Sequence, residues 1–343
     1  MKAVIISEVG IEYCNVDNPK LTNKSGYIVN VIYSGLCGSD IQRIKLLIED
    51  KIKHPILGHE IVGTINSIVG SKKTDIKVGD YVVVSPIISC KKCVFCKEGN
   101  IQFCKKNNSL GKTQDGGFAD MVYVPMDNVY KIPKNSFCKE LVLSDPLSVC
   151  IHALNKIGSI ENKRVAIIGG GAIGEVMSRL AGYKKSREVV LITKNFKLQK
   201  NIYYKSIKYS TINDVIDKKY TDYFDVVFEC VGREESSPIE IAIKITKKMG
   251  NLVVLGAYKM NYILPINARM LFSKEITMVG SNSYNTLPKN DDFHEAINLI
   301  LDNKIKLDGI ITHTLSLRNF SIGLDLFKNK KTSSAIKIVF ENQ

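Results

Sequence analysis

The sequence predicts an α/β protein with a β-rich first part followed by a doubly wound parallel sheet. Three observations support this fold class. The pattern changes near residue 140, near-continuous apolar strands then alternate with helical stretches, and glycines follow the first of these strands. Strands of this kind are typical of a parallel sheet that helices cover on both faces. The 343 residues are enough for about two domains.

Short β-branched runs predict strands in the first part, to about residue 130. Glycine and aspartate separate these runs, as at 78–80, and such residues commonly form the turns between strands. The predicted strands of this part are 1–8, 29–33, 61–65 and 81–84.

The parallel sheet is predicted to begin at 164–168, an apolar run that is too short for a helix and precedes a helical stretch. Its further strands are predicted at 188–193, 224–228 and 251–255. The last part of the chain has helical patterns near 291–303 and 319–328 and a closing strand at 335–340.

The composition is that of an ordinary soluble globular protein, with 45% hydrophobic and 24% charged residues. It excludes a disordered, collagen-like or coiled-coil chain. No apolar run approaches the roughly 18 residues of a membrane span, and the first residues lack the apolar core of a signal peptide. We therefore expect a cytoplasmic protein with no membrane partner.

The chain carries 48 basic and 34 acidic residues, for a net charge of +14. This excess indicates either an anionic partner or a lysine-rich composition without a specific partner. No basic block and no basic stripe interleaved with aromatic residues occurs, so a basic zinc ribbon that binds nucleic acid is kept only as an alternative. The charge still favours anionic small molecules such as phosphates.

Four of the nine cysteines lie within fifteen residues, at Cys90, Cys93, Cys96 and Cys104. An odd number of cysteines in an intracellular chain argues against a disulfide framework. Four thiolates at this spacing are typical of a closed tetrahedral zinc site, whose role is structural because no position is open. An iron–sulfur cluster and a coincidental grouping are the alternatives.

A second set of possible metal ligands is spread over the β-rich part. Cys37 stands in Cys-Gly-Ser-Asp, His59 and Glu60 follow Gly58, and Asp145 precedes Pro-Leu-Ser. Cysteine, histidine and carboxylates are the ligands of catalytic zinc, which keeps one position open. Taken singly, each has another interpretation: a buried thiol, a core histidine, or a turn or helix cap.

The segment after the strand at 164–168 contains the pattern G-x-G-x-x-G, formed by Gly169, Gly171 and Gly174 around Ala172 and Ile173. A strand precedes it and a helix follows, which is the context of a dinucleotide-binding site in a Rossmann domain. The N-terminus of the helix offers amide donors and a partial positive charge to the phosphates.

The residues after the second strand of the sheet favour NADP(H) over NAD(H). An NAD site has an acidic residue about 20 positions beyond the glycines, yet no acid occurs between Glu188 and Asp214. The strand ends instead at Thr193, with Lys194 and Lys197 after it, and lysines attract a 2′-phosphate that an acid would repel.

These motifs together resemble the zinc-dependent medium-chain alcohol and polyol dehydrogenases over essentially the whole chain. The resemblance implies a GroES-like catalytic domain at 1–144, with a structural-zinc lobe at 90–104, and a Rossmann domain at 145–280. Residues 281–343 would return to the catalytic domain. Family members are commonly homodimers or homotetramers, and the active site lies in the cleft between the domains.

The resemblance also assigns roles to single residues. Cys37, His59 and an acidic residue would bind the catalytic zinc, with Asp145 standing where the polyol branch usually has glutamate. Glu60 would be the alternative ligand, and Ser39 would relay the proton. Zinc in this family acts as a Lewis acid on the substrate oxygen while hydride is transferred.

The remaining expected residues lie around the cofactor and the substrate. Cys230, Gly256 and Ser281 stand where strands of the sheet are expected to end, and parallel sheets bind ligands at that edge. Arg43 is either a surface charge or a donor to an anionic substrate. Gln42 replaces a histidine that sorbitol dehydrogenases often carry, which affects the outer proton relay.

The predicted reaction is the reversible, NADP(H)-dependent oxidation of a polyol phosphate to its ketose phosphate. Motifs similar to those of galactitol-1-phosphate dehydrogenases and ribulose-5-phosphate reductases, together with the positive charge, favour this substrate class. An NAD-dependent sorbitol or secondary-alcohol dehydrogenase is the alternative. A zinc-free reductase of the quinone-reductase type is an alternative with the same fold. The zinc-ligand residues Cys37, His59 and Glu60 and the four-cysteine lobe argue against it.

Overall fold

The structure is a computed structural model, and the part of the chain that it describes is 1–7, 10–19, 25–50, 56–70, 73–194, 207–215, 220–287 and 290–342. The chain forms two compact units. The first consists of 1–145, 285–301 and 311–343, and the second of 146–284 and 302–310.

The strands are β1 (Lys2–Ser7), β2 (Gly10–Asn15), β3 (Gly26–Leu36), β4 (Glu60–Val69), β5 (Tyr81–Val84), β6 (Ile87–Ile88), β7 (Asn108–Ser109), β8 (Met121–Pro125), β9 (Val129–Ile132), β10 (Arg164–Ile168), β11 (Glu188–Ile192), β12 (Ile207–Ser210), β13 (Phe224–Glu229), β14 (Thr246–Val254), β15 (Thr277–Gly280), β16 (Thr286–Leu287), β17 (Asn290–Asp291), β18 (Ile311–Ser316) and β19 (Lys337–Glu341). The helices are α1 (Gly38–Asp50), α2 (Val94–Lys97), α3 (Ser144–Asn155), α4 (Ala172–Tyr183), α5 (Ile212–Asp214), α6 (Ser237–Ile245), α7 (Ala268–Lys274), α8 (Asp292–Leu301), α9 (Phe320–Lys328) and α10 (Lys330–Ser333).

The first unit is built on a sheet with the order β18-β19-β3-β4-β5-β9, in which β8 also pairs with β3. Strand β3 is the longest, and it pairs antiparallel with β19, β4 and β8. Its residues Tyr27, Val29 and Val31 are buried among apolar side chains of β4 and β5. The predicted strands 29–33, 61–65 and 81–84 all lie in this sheet.

A second core of the first unit joins the last part of the chain to the beginning. Phe118, Phe320 and Phe340 pack together, with the rings of Phe118 and Phe320 4.9 Å apart. Helix α9 and strand β19 contribute to this core. The closing residues are therefore buried with the first strands.

The second unit contains a parallel sheet with the order β12-β11-β10-β13-β14-β15. The chain runs outward from β10 to β12 and returns to β13 on the other side of β10, so the direction of winding reverses there. This is the doubly wound arrangement, and ligands bind at such a reversal, outside the carboxyl ends of the strands. The predicted α/β class is confirmed.

The two edge strands, β12 and β15, were not among the predicted strands. Each has four residues, and exposed or half-buried positions interrupt its apolar pattern. The buried inner strands β10, β11 and β13 match the predictions closely. Among the described residues, no helix has the length and apolar character that crossing a membrane requires.

Candidate metal centres and nucleotide site

The four clustered cysteines form one group of sulfur atoms. The ligand atoms of Cys90, Cys93, Cys96 and Cys104 all lie within 4.8 Å of one another. The Sγ atoms of Cys93 and Cys96 are 3.5 Å apart, and those of Cys90 and Cys96 are 3.8 Å apart. Four sulfurs at about 2.3 Å from one zinc ion would be roughly 3.8 Å apart at tetrahedral angles. The donor set therefore fits a zinc ion.

Backbone amides prepare this cluster for a cation. The amide of Cys93 donates to Sγ of Cys90, and the amide of Cys90 donates to Sγ of Cys104. The amides of Lys92 and Cys93 lower the pKa of Cys90, because hydrogen bonds to a thiolate favour the charged form. Burial raises the pKa of Cys96 to about 12.

The second centre forms where β3 ends and β4 begins. Cys37 follows β3, and His59 and Glu60 stand at the start of β4. The antiparallel register places Gly35 opposite Glu60, which brings these two strand ends together. Ligand atoms of Cys37, His59 and Glu60 lie within 4.8 Å of one another. One thiolate, one imidazole and one carboxylate are a donor set that fits zinc.

Asp40, which had no predicted role, orients this centre. Its Oδ2 accepts a hydrogen bond from the amide of Cys37 at 3.0 Å, and its Oδ1 lies 3.2 Å from Nδ1 of His59. Burial alone would lower the pKa of His59, but Asp40 and Cys37 raise it well above the usual value. An imidazole held through Nδ1 presents Nε2 to a metal.

Lys337 of β19 is a further charged residue of this centre that the sequence analysis did not find. It forms an ion pair with Glu60, and each of the two residues is only 2% exposed. Burial alone would lower the pKa of Lys337, but the nearby charges of Glu60, Cys37 and Asp145 raise it. Asp145, in the first turn of α3, therefore acts on the same centre through its charge.

Helix α1 begins next to Cys37 and carries the predicted proton relay and substrate residues. Ser39 is exposed in its first turn, and Arg43 lies one turn further on the same face. A guanidinium N–H of Arg43 donates to the carbonyl of Lys112 at 3.2 Å. Burial lowers the pKa of Arg43, and the nearby charge of Asp40 opposes this shift only in part.

The glycine-rich turn after β10 leaves room for a ligand. Gly169 has a φ of +116°, in the range that favours glycine. A Cβ atom on Gly174 would lie 1.8 Å from the carbonyl oxygen of Gly169, whereas one on Gly171 would meet no atom within 4 Å. Ala172 and Ile173 begin helix α4, so its free amides face this space. The turn fits a pyrophosphate.

The other predicted cofactor residues lie at the ends of neighbouring strands of the same sheet. Thr193 follows β11, and the amide of Cys230 donates to Ile168 of β10. Gly256 follows β14, and the amide of Ser281, after β15, donates to Val254.

Lys194 forms an ion pair with Glu235, in which Nζ and Oε2 are 2.7 Å apart. Lys197 lies outside the described residues. The predicted lysine pair is therefore visible at one of its two positions.

Glu229 is a buried carboxylate of the nucleotide site that the sequence analysis did not assign. It is the last residue of β13 and is fully buried. Its Oε1 accepts hydrogen bonds from the amides of Val231 and Gly232, at 2.7 and 2.9 Å. It therefore fixes the turn after β13, which packs against the end of β10.

Comparisons with known proteins agree with this geometry. The family described as "Alcohol dehydrogenase GroES-like domain" matches 23–134, and the family described as "Zinc-binding dehydrogenase" matches 196–302. Together the two regions cover more than half of the chain. The chain belongs to the zinc-dependent medium-chain alcohol and polyol dehydrogenases, with a GroES-like domain and a Rossmann domain, as predicted.

Several relatives are similar along nearly the whole chain. Galactitol 1-phosphate 5-dehydrogenase of Escherichia coli K12 is 27% identical, over 93% of this chain and 94% of the relative. D-arabinitol dehydrogenase 1 of Uromyces fabae is 29% identical, over 89% of this chain and 87% of the relative.

A solved structure of a zinc-binding dehydrogenase from Sinorhizobium meliloti 1021 bound to NADP has a TM-score of 0.86. It is 25% identical, and the match covers 99% of this chain and 98% of that one.

Proposed function

We propose that this protein interconverts a polyol phosphate and its ketose phosphate, with NADP(H) as the hydride carrier. The observation that carries the proposal is that the ligand atoms of Cys37, His59 and Glu60 lie within 4.8 Å of one another. Helix α1, which contains Ser39 and Arg43, begins beside them. The metal ligands support alcohol oxidation, and the arginine one turn further supports an anionic substrate. The relative named for galactitol 1-phosphate supports the same substrate class.

The residues of the metal centre have separate roles in this proposal. Cys37 and His59 hold a catalytic zinc together with either Asp145 or Glu60, and the bound zinc supplies Lewis acidity toward the substrate oxygen. The hydroxyl of Ser39, exposed at the start of α1, passes the proton to solvent. The four-cysteine cluster holds a second, structural zinc.

The glycine turn and the N-terminus of α4 bind the pyrophosphate of the cofactor. Gly169 and Gly171 allow its close approach, and Lys194 and Lys197 meet the 2′-phosphate of NADP(H). The absence of an acid between Glu188 and the end of β11 supports this preference, as does the relative that was solved with NADP. We further propose a cytoplasmic homodimer or homotetramer.

A second candidate is an NAD-dependent dehydrogenase of a neutral polyol. Two observations favour it: the ion pair of Lys194 with Glu235, which occupies the lysine, and the relative named for D-arabinitol. The two candidates differ in both substrate charge and cofactor, so one set of assays separates them.

The test follows the absorbance of the reduced nicotinamide. NADPH and NADH are each combined with ribulose 5-phosphate, tagatose 6-phosphate and fructose, and the zinc content is measured on the same sample. We expect two zinc ions per chain and turnover of a ketose phosphate with NADPH. Turnover of fructose alone, with NADH, would replace the proposal by the second candidate.

A variant tests the proposed role of Arg43. Arg43→Gln removes the charge and shortens the side chain but keeps an N–H donor at its end. We expect a higher KM for the ketose phosphate with little change in kcat or in the affinity for NADPH. An unchanged KM would place the phosphate elsewhere.

A further inference from the structure

Two segments lie on either side of the glycine turn in the parallel sheet. One follows β11 and contains Lys194, and the other follows β13 and contains Glu235. Strand β10, which leads into the glycine turn, lies between β11 and β13. Both segments therefore leave the sheet at the carboxyl edge where the dinucleotide is expected to bind.

Each segment packs closely against the end of β10. A Cβ atom on Gly170 would lie 2.4 Å from Oγ1 of Thr193, the residue before Lys194. On the other side, the amide of Cys230 donates to the carbonyl of Ile168 at 2.9 Å. The positions of both segments relative to the glycine turn are thus fixed by direct contacts.

The ion pair of Lys194 and Glu235 joins these two segments. Its Nζ and Oε2 atoms are 2.7 Å apart, although the residues are separated by 41 positions in the sequence. The side chains are 59% and 39% exposed, so an arriving ligand can reach both. The lysine expected to meet the 2′-phosphate thus already has a carboxylate partner.

We propose that Glu235 is a specificity-determining residue that weakens the preference for NADP(H) by holding the ammonium group of Lys194. A 2′-phosphate carries more negative charge than a carboxylate, so NADPH displaces Glu235 from the lysine at a cost in affinity. NADH has no 2′-phosphate and leaves the ion pair intact. This inference rests on the proposed use of NADP(H) and of Lys194.

The preceding residue, Glu234, provides a matched control. Its Oε1 lies 2.9 Å from Nζ of Lys259, and these side chains are 60% and 67% exposed. Glu235→Gln and Glu234→Gln remove the same charge from the same turn, but they release different lysines. A general effect of net charge on the binding of an anionic cofactor would appear equally in both variants.

The experiment measures the dissociation constants of NADPH and NADH from the fluorescence of the reduced nicotinamide. We expect Glu235→Gln to bind NADPH about 1.5- to 5-fold more tightly, which corresponds to the contribution of an exposed ion pair. The affinity for NADH, and both affinities of Glu234→Gln, remain unchanged. The gain decreases as salt is raised above about 0.1 M, because the charges are exposed.

A double variant shows whether Glu235 acts through the lysine. Lys194→Gln lowers the affinity for NADPH, and adding Glu235→Gln to it produces no further gain, because no ammonium remains to be released. A gain that persists without Lys194 would overturn the inference. So would a weaker binding of NADH to Glu235→Gln, which would mean that the carboxylate accepts hydrogen bonds from the ribose.

Failure of the inference and failure of the proposed function give different results. If Lys194→Gln weakens NADPH binding but Glu235→Gln behaves like Glu234→Gln, the inference is overturned and the proposed cofactor stands. If the protein prefers NADH and Lys194→Gln leaves the affinity for NADPH unchanged, both are overturned.

Discussion

Replacing Lys337 by methionine tests the buried ion pair beside the candidate catalytic centre. Lys337 and Glu60 are each 2% exposed, so in the zinc-depleted protein the change leaves a carboxylate in the interior without its cation. Removing one partner of such a pair costs about 3–5 kcal/mol. For a domain of roughly 150–250 residues, this cost lowers Tm by about 6–20 °C.

The assay is thermal and urea unfolding of zinc-depleted Lys337→Met, Glu60→Gln and the double variant, each compared with the zinc-depleted parent protein and followed by circular dichroism. The double variant should lose less stability than the sum of the single variants, because it leaves neither charge buried alone. A loss below about 1 kcal/mol for Lys337→Met would refute the reasoning, since that is the contribution of an exposed pair. Strict additivity in the double variant would refute it as well.

Four further changes test the metal centres and the ion pairs that Asp225 forms with Arg164 and Lys247. Cys37→Ser should lose one zinc per chain and nearly all turnover while keeping the fold, measured by circular dichroism; substantial turnover would exclude this ligand. Cys93→Ser should lower Tm, measured by calorimetry, but leave the turnover of the folded fraction intact. Asp40→Asn should weaken zinc binding about 10- to 100-fold in a chelator competition, because His59 loses its orienting carboxylate. Burial alone would raise the pKa of Asp225, but Lys247 and Arg164 lower it, so its contribution is present at pH 7 and lost as pH falls through that lowered pKa. The stability difference between the protein and Asp225→Asn should therefore shrink below about pH 4, and a constant difference would contradict this assignment.

The inner strands of the parallel sheet could be predicted because burial on both faces produces continuous apolar runs. Strands β10, β11 and β13 have this pattern, and their bounds differ from the predictions by at most one residue. The edge strand β12 is buried only at its first and last residues, with one exposed and one half-buried position between them. Such a short pattern does not differ from that of a loop. The sequence therefore predicted fewer strands than the sheet contains.

The metal centres differ in how much of each could be predicted. The four cysteines of the first cluster are close in sequence, so their spacing alone indicates a shared ion. Cys37 and His59 meet only because β3 pairs with β4 in a particular register. This pair was predicted through the resemblance to a family, since no spacing rule predicts that register.

Neither residue spacing nor the resemblance to a family predicted Lys337 as the partner of Glu60. The sequence does contain a signal that Lys337 is buried. Lys337 interrupts the run Ala-Ile-Lys-Ile-Val-Phe, in which the neighbours Ile336 and Ile338 are also buried. A lysine inside such a run must be paired with a carboxylate, because a buried ammonium without a counter-charge is strongly unfavourable. That argument requires an acidic partner but does not identify it among 34 acidic residues. Only the fold, which brings together two positions 277 residues apart, makes the choice.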